Sequence, residues 1–258
     1  MNASAPTKKS IALVTGGSRG LGKEMAISLA QKNIDIIITY NSKKEEALAV
    51  VAGIESTGQK AAALQLDTSA TAGFAAFFDQ LQALLQQYFN ATRIDYLVNN
   101  AGIGVHAAFT ETTEEQFDTL LNIQFKGVFF FTQRALALMA DGGGIVNIST
   151  GLARFSFPGY AAYASMKGAI ETLTKYQAKE LGSRNIRVNV VAPGAVETDF
   201  GGGAVRDNGA LNSQIAAATA LGRVGLPADI GPVVAFLCTD DARWINAQRI
   251  EVAGGMML

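Results

Sequence analysis

The stretch Ser10-Ile11-Ala12-Leu13-Val14-Thr15-Gly16-Gly17-Ser18-Arg19-Gly20-Leu21-Gly22 decides the architecture of this chain. A short apolar run with strand character passes directly into a glycine-rich turn, and an amphipathic helical pattern over 20–32 follows. Glycines there let the backbone turn tightly and come close to an anion. The next helix starts at the same point, with its positive dipole end facing the turn. The spacing Gly-x-x-x-Gly-x-Gly differs from the Gly-x-Gly-x-x-Gly form, but the mechanics are the same. Strand, glycines and helix in that order read as a cradle for a pyrophosphate.

Working outward, β-branched runs alternate with longer helical stretches. Strands are expected at 10–15, 34–40, 61–66, 94–98, 144–149, 186–191 and 249–252. Helices are expected at about 20–32, 43–57, 70–89, 113–139, 160–181 and 228–239. Continuous apolar runs such as Ile36-Ile37-Ile38 indicate burial on both faces, as in a parallel sheet. The alternation predicts right-handed βαβ units and an α/β, doubly wound Rossmann-type sheet of about seven strands with helices on both faces. Ligands then belong at the carboxyl ends of the strands.

The 258 residues, 49% hydrophobic, suit one domain spanning 1–258, because doubly wound folds reach roughly 250 residues as a single unit. No repeat or linker divides it. Residues 198–211, with Gly201-Gly202-Gly203 and Asp207-Asn208-Gly209, lack side chains for a packed core and read as a mobile lid over the site. No run approaches the ~20 apolar residues of a membrane span. The polar start predicts no secretory signal, so a cytoplasmic location is expected. A formal charge of −1 without a long basic run argues against nucleic acid as a partner. With one cysteine, Cys238, and one histidine, His106, neither an internal disulfide nor a His/Cys metal cage is expected.

Tyr163 and Lys167 stand four residues apart on the helix expected at 160–181, hence on one face. An ordinary tyrosine pKa, about 10, is too high for efficient acid–base work at neutral pH, and a neighbouring cation stabilises the phenolate. Beside a pyrophosphate cradle, this pair predicts hydride transfer between a nicotinamide and a carbonyl or alcohol carbon. Tyr40 and Lys44 repeat the spacing but follow a strand without a hydroxyl partner, and are read as coincidence.

Folds that bind NAD usually place an acid about 20 residues after the glycines to hold the ribose hydroxyls. Here the chain reads Thr39-Tyr40-Asn41-Ser42-Lys43-Lys44. Without a carboxylate at Asn41 and Ser42, a 2′-phosphate meets no repulsion, and the Arg19 fork is available to pair with it. NADP(H) is the expected cofactor and NAD(H) the disfavoured one.

The motifs together resemble the short-chain dehydrogenase/reductase family of the compact, single-domain kind. Matches run nearly end to end, through residues 15–22, Asp67, Asp95-Tyr96-Leu97-Val98-Asn99-Asn100-Ala101-Gly102, Tyr163 and Lys167, Pro193-Gly194, Thr198, Gly222-Arg223-Val224-Gly225 and Gly254-Gly255. The resemblance implies that Gly16, Ser18, Gly20, Leu21 and Gly22 line the phosphates. It implies adenine contacts from Asp67 and Thr68, and a path for Asn100, Ala101 and Gly102 beneath the ribose. Pro193, Gly194 and Val196, with Thr198 nearby, would hold the nicotinamide carboxamide. It also suggests a homotetramer, with which the apolar Met256-Met257-Leu258 end is compatible.

Two positions depart from the family pattern. Thr150 stands where the family has its catalytic serine, keeping the hydroxyl while adding a methyl and stiffening χ1. Ser149 is no substitute, since adjacent strand residues point to opposite faces. Gln124 replaces a helix-borne asparagine, keeping the carboxamide on a longer stem and an unchanged main-chain carbonyl for a proton relay through water to Lys167. Asn122 lies about 200° around the helix from it. An NADP-binding regulator with little or no turnover is therefore the rival reading. Among enzymes, 3-oxoacyl, sugar or polyol, and steroid-type carbonyl substrates stay open. His106 reads as a loop residue and Cys238 as a core residue. Phe129-Phe130-Phe131 and Phe74, Phe77 and Phe78 read as helix packing.

Overall fold

The computed structural model describes residues 9–258. Its centre is β1 (Ile11–Val14), four apolar residues buried on both faces. β1 pairs in parallel with β2 (Asp35–Tyr40) on one side and β4 (Ile94–Asn99) on the other. With β3 (Ala61–Gln65), β5 (Met139–Ile148), β6 (Arg187–Pro193) and β7 (Arg249–Val252), the described sheet is seven-stranded, parallel, and ordered β3-β2-β1-β4-β5-β6-β7. The chain first runs outward from β1 to β3, then returns to lay β4 against β1 and proceeds the other way. That reversal opens a crevice at the carboxyl ends of β1 and β4.

Strand residues alternate between two helical layers. Ala12, Val14, Ile36 and Ile38 pack with α1 (Gly20–Ala30), α2 (Lys44–Glu55) and α9 (Pro227–Leu237). Ile11, Leu13, Ile37 and Leu97 face α3 (Phe74–Leu84), α5 (Gly127–Ala135) and α6 (Ala161–Glu180). Phe131 anchors this second layer, its ring 5.4 Å from those of Phe74 and Phe77 and 5.0 Å from that of Phe78. The other two members of the triple differ from expectation. Phe129 and Phe130 turn outward, 38% and 40% exposed.

The helix expected over 113–139 runs unbroken from Glu114 to Ala135, with a π-helical turn inside it. α4 (Glu114–Leu121) opens with a capping box of Thr113 and Gln116. A π-helical turn, Asn122–Lys126, then leads into α5, which ends at Ala135. β5 starts already at Met139, and its pairing with β4 jumps from Ile94↔Met139 to Tyr96↔Gly144, so the glycines at 142–144 absorb a bulge. Residues 198–211 also carry structure that their composition concealed. A 3₁₀ turn, Phe200–Gly203, leads into α7 (Ala204–Asp207) and α8 (Gly209–Ala217), the latter capped by Asn208, which accepts from the Leu211 amide.

Replacing Phe131 by Ala should lower unfolding free energy by about 3–5 kcal/mol in urea titrations, while Phe130→Ala should cost under about 1 kcal/mol. Equal losses at the two positions would contradict this packing.

Candidate active site

The crevice is framed by two turns that bind each other. A Cβ on Gly22 would overlap the Gly16 carbonyl oxygen, and one on Gly16 would stand 2.9 Å from Ala101 Cα, so only glycine permits the approach. The Thr15 hydroxyl accepts from the amides of Asn100 and Ala101, each at 3.0 Å. The Asn100 carboxamide donates to the carbonyls of Thr15 (2.9 Å) and Gly16 (3.2 Å). The turns after β1 and β4 thus form one rim, and no side chain caps the first amides of α1. Such uncapped amides suit an anion.

The remaining candidates line the same rim. Ser18, Gly20 and Leu21 are half-buried on the turn into α1, and Gly20 faces Thr198. Arg19 is exposed, its guanidinium 3.7 Å from Asp199. Asn41 and Ser42 are exposed just past β2, and Thr68 is half-buried beyond β3. Asp67 is tied down by Ser69, whose amide (2.9 Å) and hydroxyl (2.6 Å) donate to its carboxylate. At the far end Pro193 closes β6, the Gly194 amide donates to the Val252 carbonyl, and Val196 bridges to Gly225. Thr198 is buried, its hydroxyl accepting from the Phe200 amide at 3.1 Å.

Tyr163 and Lys167 lie on the sheet-facing side of α6, 6% and 5% exposed. The Lys167 ammonium donates to the Ile148 carbonyl at 2.8 Å and stands 5.8 Å from the Tyr163 ring centroid. Burial pushes the Tyr163 phenol well above the ordinary tyrosine range, with the Thr150 side chain beside it pulling the other way. Burial pushes the Lys167 ammonium down to about 7. Protein groups by themselves therefore keep the phenol protonated, a proton donor at neutral pH. The phenol-lowering expected of Lys167 does not outweigh burial. Thr150 caps the 3₁₀ turn Gly151–Ala153, while Ser149 points away and donates to Glu171 at 2.7 Å.

Gln124 is 1% exposed in the π-helical turn. Its amide nitrogen donates to the Ile103 carbonyl, and its Oε1 faces Gly102 without a hydrogen-bond partner. The side chain thus braces the loop after β4 rather than reaching toward Lys167. Beneath the site, Asn99 donates to Thr132 (2.9 Å) and Asn147 (2.8 Å), and Asn147 donates to Thr174 (2.9 Å) and Gln177 (3.0 Å).

Sequence reasoning missed an aromatic wall. The Phe200 ring lies 5.8 Å from Tyr163, Tyr160 lies 6.5 Å from it, and His106 meets Tyr160 edge-on at 5.0 Å. His106 lies in a loop, as expected, and its ring joins this wall. The usable signal was Phe200 directly before three glycines, inside a stretch read only for its flexibility. Among the described residues no cluster of potential metal ligands occurs, and no helix is long and apolar enough to cross a membrane.

A family model described as enoyl-(acyl carrier protein) reductase matches residues 16–257. An uncharacterised oxidoreductase of Methylorubrum extorquens is 39% identical over 246 residues, covering 95% of this chain and 97% of that one. A hydroxynaphthalene reductase-like protein of Metarhizium brunneum is 36% identical over 256 residues, with coverages of 95% and 94%. The solved structure of the angucycline C-6 ketoreductase LanV with bound NADP superposes with a TM-score of 0.91 at 36% identity, covering 96% of this chain and 95% of that one.

Burial of Lys167 also sets a pH signature. Its folded value of about 7 lies below the ordinary 10.5, so between these values the unfolded chain binds more protons and stability rises with pH. The Tm of the natural protein should therefore gain on that of Lys167→Met from about pH 7 to pH 9, and the gap should be flat below about pH 6. A gap independent of pH would refute the buried ammonium.

Proposed function

The chain belongs to the short-chain dehydrogenase/reductase family, and on that footing we propose that it is an NADPH-dependent ketoreductase acting on planar aromatic ketones. The observation that carries this reading is the buried Tyr163 side chain, with Thr150 beside its phenol and the Lys167 ammonium 5.8 Å from its ring, in a fold whose first turn is a glycine cradle.

The residues present fit a dinucleotide carrying a 2′-phosphate. The close approaches at Gly16 and Gly22 clear the path for a pyrophosphate beside Ser18, Gly20 and Leu21. No carboxylate follows β2 before Glu45, in the first turn of α2, which leaves Asn41 and Ser42 neutral at the ribose end. Arg19 would leave Asp199 for the phosphate, since an exposed pair 3.7 Å apart is held only weakly against solvent screening. Asp67 and Thr68 would border the adenine, Asn100, Ala101 and Gly102 the ribose, and Pro193, Gly194, Val196 and Thr198 the nicotinamide. When bound, NADPH supplies the hydride.

Tyr163 passes its proton to the carbonyl oxygen, and Thr150 polarises that oxygen through its hydroxyl. Lys167, already an ammonium bonded to the Ile148 carbonyl, offsets the negative charge left on the phenol oxygen and can return a proton to it. The Gln124 main-chain carbonyl would hold the water through which Lys167 is re-protonated. The reverse direction oxidises a secondary alcohol with the same groups.

The substrate class is supported by the wall of Phe200, Tyr160 and His106, whose faces suit a flat ring. Relatives named for a hydroxynaphthalene and for an angucycline point the same way. A flexible 3-oxoacyl chain would leave that wall unused. The rival reading, an NADP-binding regulator, draws on the departures at Gln124 and Thr150. We further place the protein in the cytoplasm as one catalytic domain whose 198–211 segment moves as a lid. Assembly as a homotetramer would cover the outward rings of Phe117, Phe129 and Phe130 and the exposed Leu258.

Spectrophotometric assays of NADPH oxidation should find turnover with bicyclic aromatic ketones above that with 3-oxoacyl thioesters, and none at all would favour the regulator. Tyr163→Phe should lower kcat by about 10²–10⁴-fold with the Kd for NADPH within about twofold. Arg19→Ala should reduce the preference for NADPH over NADH by about tenfold or more, and an unchanged preference would remove Arg19 from the phosphate site.

A further inference from the structure

A chain of paired charges runs behind Thr150, outside the motifs that carry the family resemblance. Arg249 on β7 engages three partners with its three guanidinium nitrogens. Nε donates to Glu171 at 2.7 Å, Nη1 to Glu251 at 3.0 Å, and Nη2 to the Thr150 carbonyl at 3.2 Å. Glu171 also accepts from the Ser149 hydroxyl at 2.7 Å. Glu251 in turn accepts from Arg154 Nε at 2.8 and 3.1 Å, and Arg154 donates to the carbonyls of Met256 (2.8 Å) and Met257 (3.1 Å). The three central side chains are only 18–25% exposed, so their attractions are less screened than those of surface pairs.

We propose that Arg249, clamped between Glu171 and Glu251, is the positioning residue of the Thr150 hydroxyl. The proposal rests on the role given to Thr150 above. Glu171 anchors the Ser149 side chain, while Arg249 joins the Ala153 amide (3.3 Å) on the Thr150 carbonyl and so fixes the peptide that follows the Thr150 Cα. The direction of the Cα–Cβ bond follows. Thr150 is β-branched, which restricts χ1, and its hydroxyl, which accepts from the Leu152 amide at 3.3 Å, stands beside the Tyr163 phenol. A serine in its place would rotate more freely, whereas threonine converts a fixed backbone into a fixed hydroxyl. Arg154 extends the clamp to the last residues of the chain. The planar fork is essential, because one ammonium on a flexible stem cannot span three acceptors in different directions.

The test is a double-mutant cycle in the full-length enzyme, with kcat, ketone KM, the Kd for NADPH and Tm measured for each variant. Arg249→Lys keeps the charge between the two glutamates and gives up the contact to Thr150. It should lower kcat by about tenfold to hundredfold, the scale of a ~1 Å misplacement, with the Kd for NADPH nearly kept. In a Thr150→Ala background the same substitution should cost less than about twofold, since the group it positions is gone. A residue that merely supports the fold would cost the same factor in both backgrounds, and that result, or an unchanged kcat, overturns the proposal. Should Arg249→Lys fail to fold, Glu171→Gln must show the same loss of effect in the Thr150→Ala background. If Thr150→Ala by itself leaves kcat unchanged, the role of Thr150 falls and this inference falls with it, a result distinct from equal costs in the two backgrounds.

Discussion

The site depends on one contact surface, the register between the carboxyl end of β5 and the sheet-facing stripe of α6. Four consecutive residues at the end of β5 each meet α6 in their own way. Asn147 donates to Thr174 and Gln177, the Ile148 carbonyl accepts from Lys167, Ser149 donates to Glu171, and Thr150 stands beside Tyr163. The matching works because two strand residues advance about 6.6 Å and one helical turn about 5.4 Å, so polar positions on the two elements meet step by step. Strand and helix run in opposite directions, which puts the start of α6 and the end of β5 together at the mouth of the crevice. Slip either element by one residue and the phenol, ammonium and hydroxyl separate together.

Burial gives this register its chemical meaning. An ammonium with a single carbonyl partner is costly in a protein interior, and Lys167 answers by shifting toward the neutral form. The same desolvation holds the neighbouring phenol protonated. A protonated phenol and a buried ammonium therefore occupy one corner without an ion pair already formed there. The charge pair is favoured only when negative charge develops on the phenol oxygen, which is the condition for stabilising a transition state more than a ground state.

Much of this was legible in the sequence because it depends on short-range spacing. The glycines at 16, 20 and 22, the Tyr163/Lys167 interval and the apolar strand runs each encode geometry within a few residues, and each landed where the spacing placed it. What escaped was tertiary. The helix expected over 113–139 contains a π-helical turn, which an apolar period of 3.6 does not announce. The helices α7 and α8 hide in a stretch whose glycines suggested only flexibility, because the cap from Asn208 competes with that reading. Arg249 and Glu251 carried a signal in principle. Charges at alternate positions of a strand in a parallel sheet demand partners on one face. Which partners, however, depends on α6 lying across that face.

Gln124 illustrates how a departure from a motif can leave the chemistry in place. The carboxamide reaches the loop after β4, where its nitrogen donates to the Ile103 carbonyl and its oxygen faces Gly102. The main-chain carbonyl at 124 is untouched by the change of side chain, and so is the burial of Tyr163 and Lys167. The side chain therefore bears on how firmly residues 102–103 are held in the loop after β4. It does not touch the group that gives up the proton.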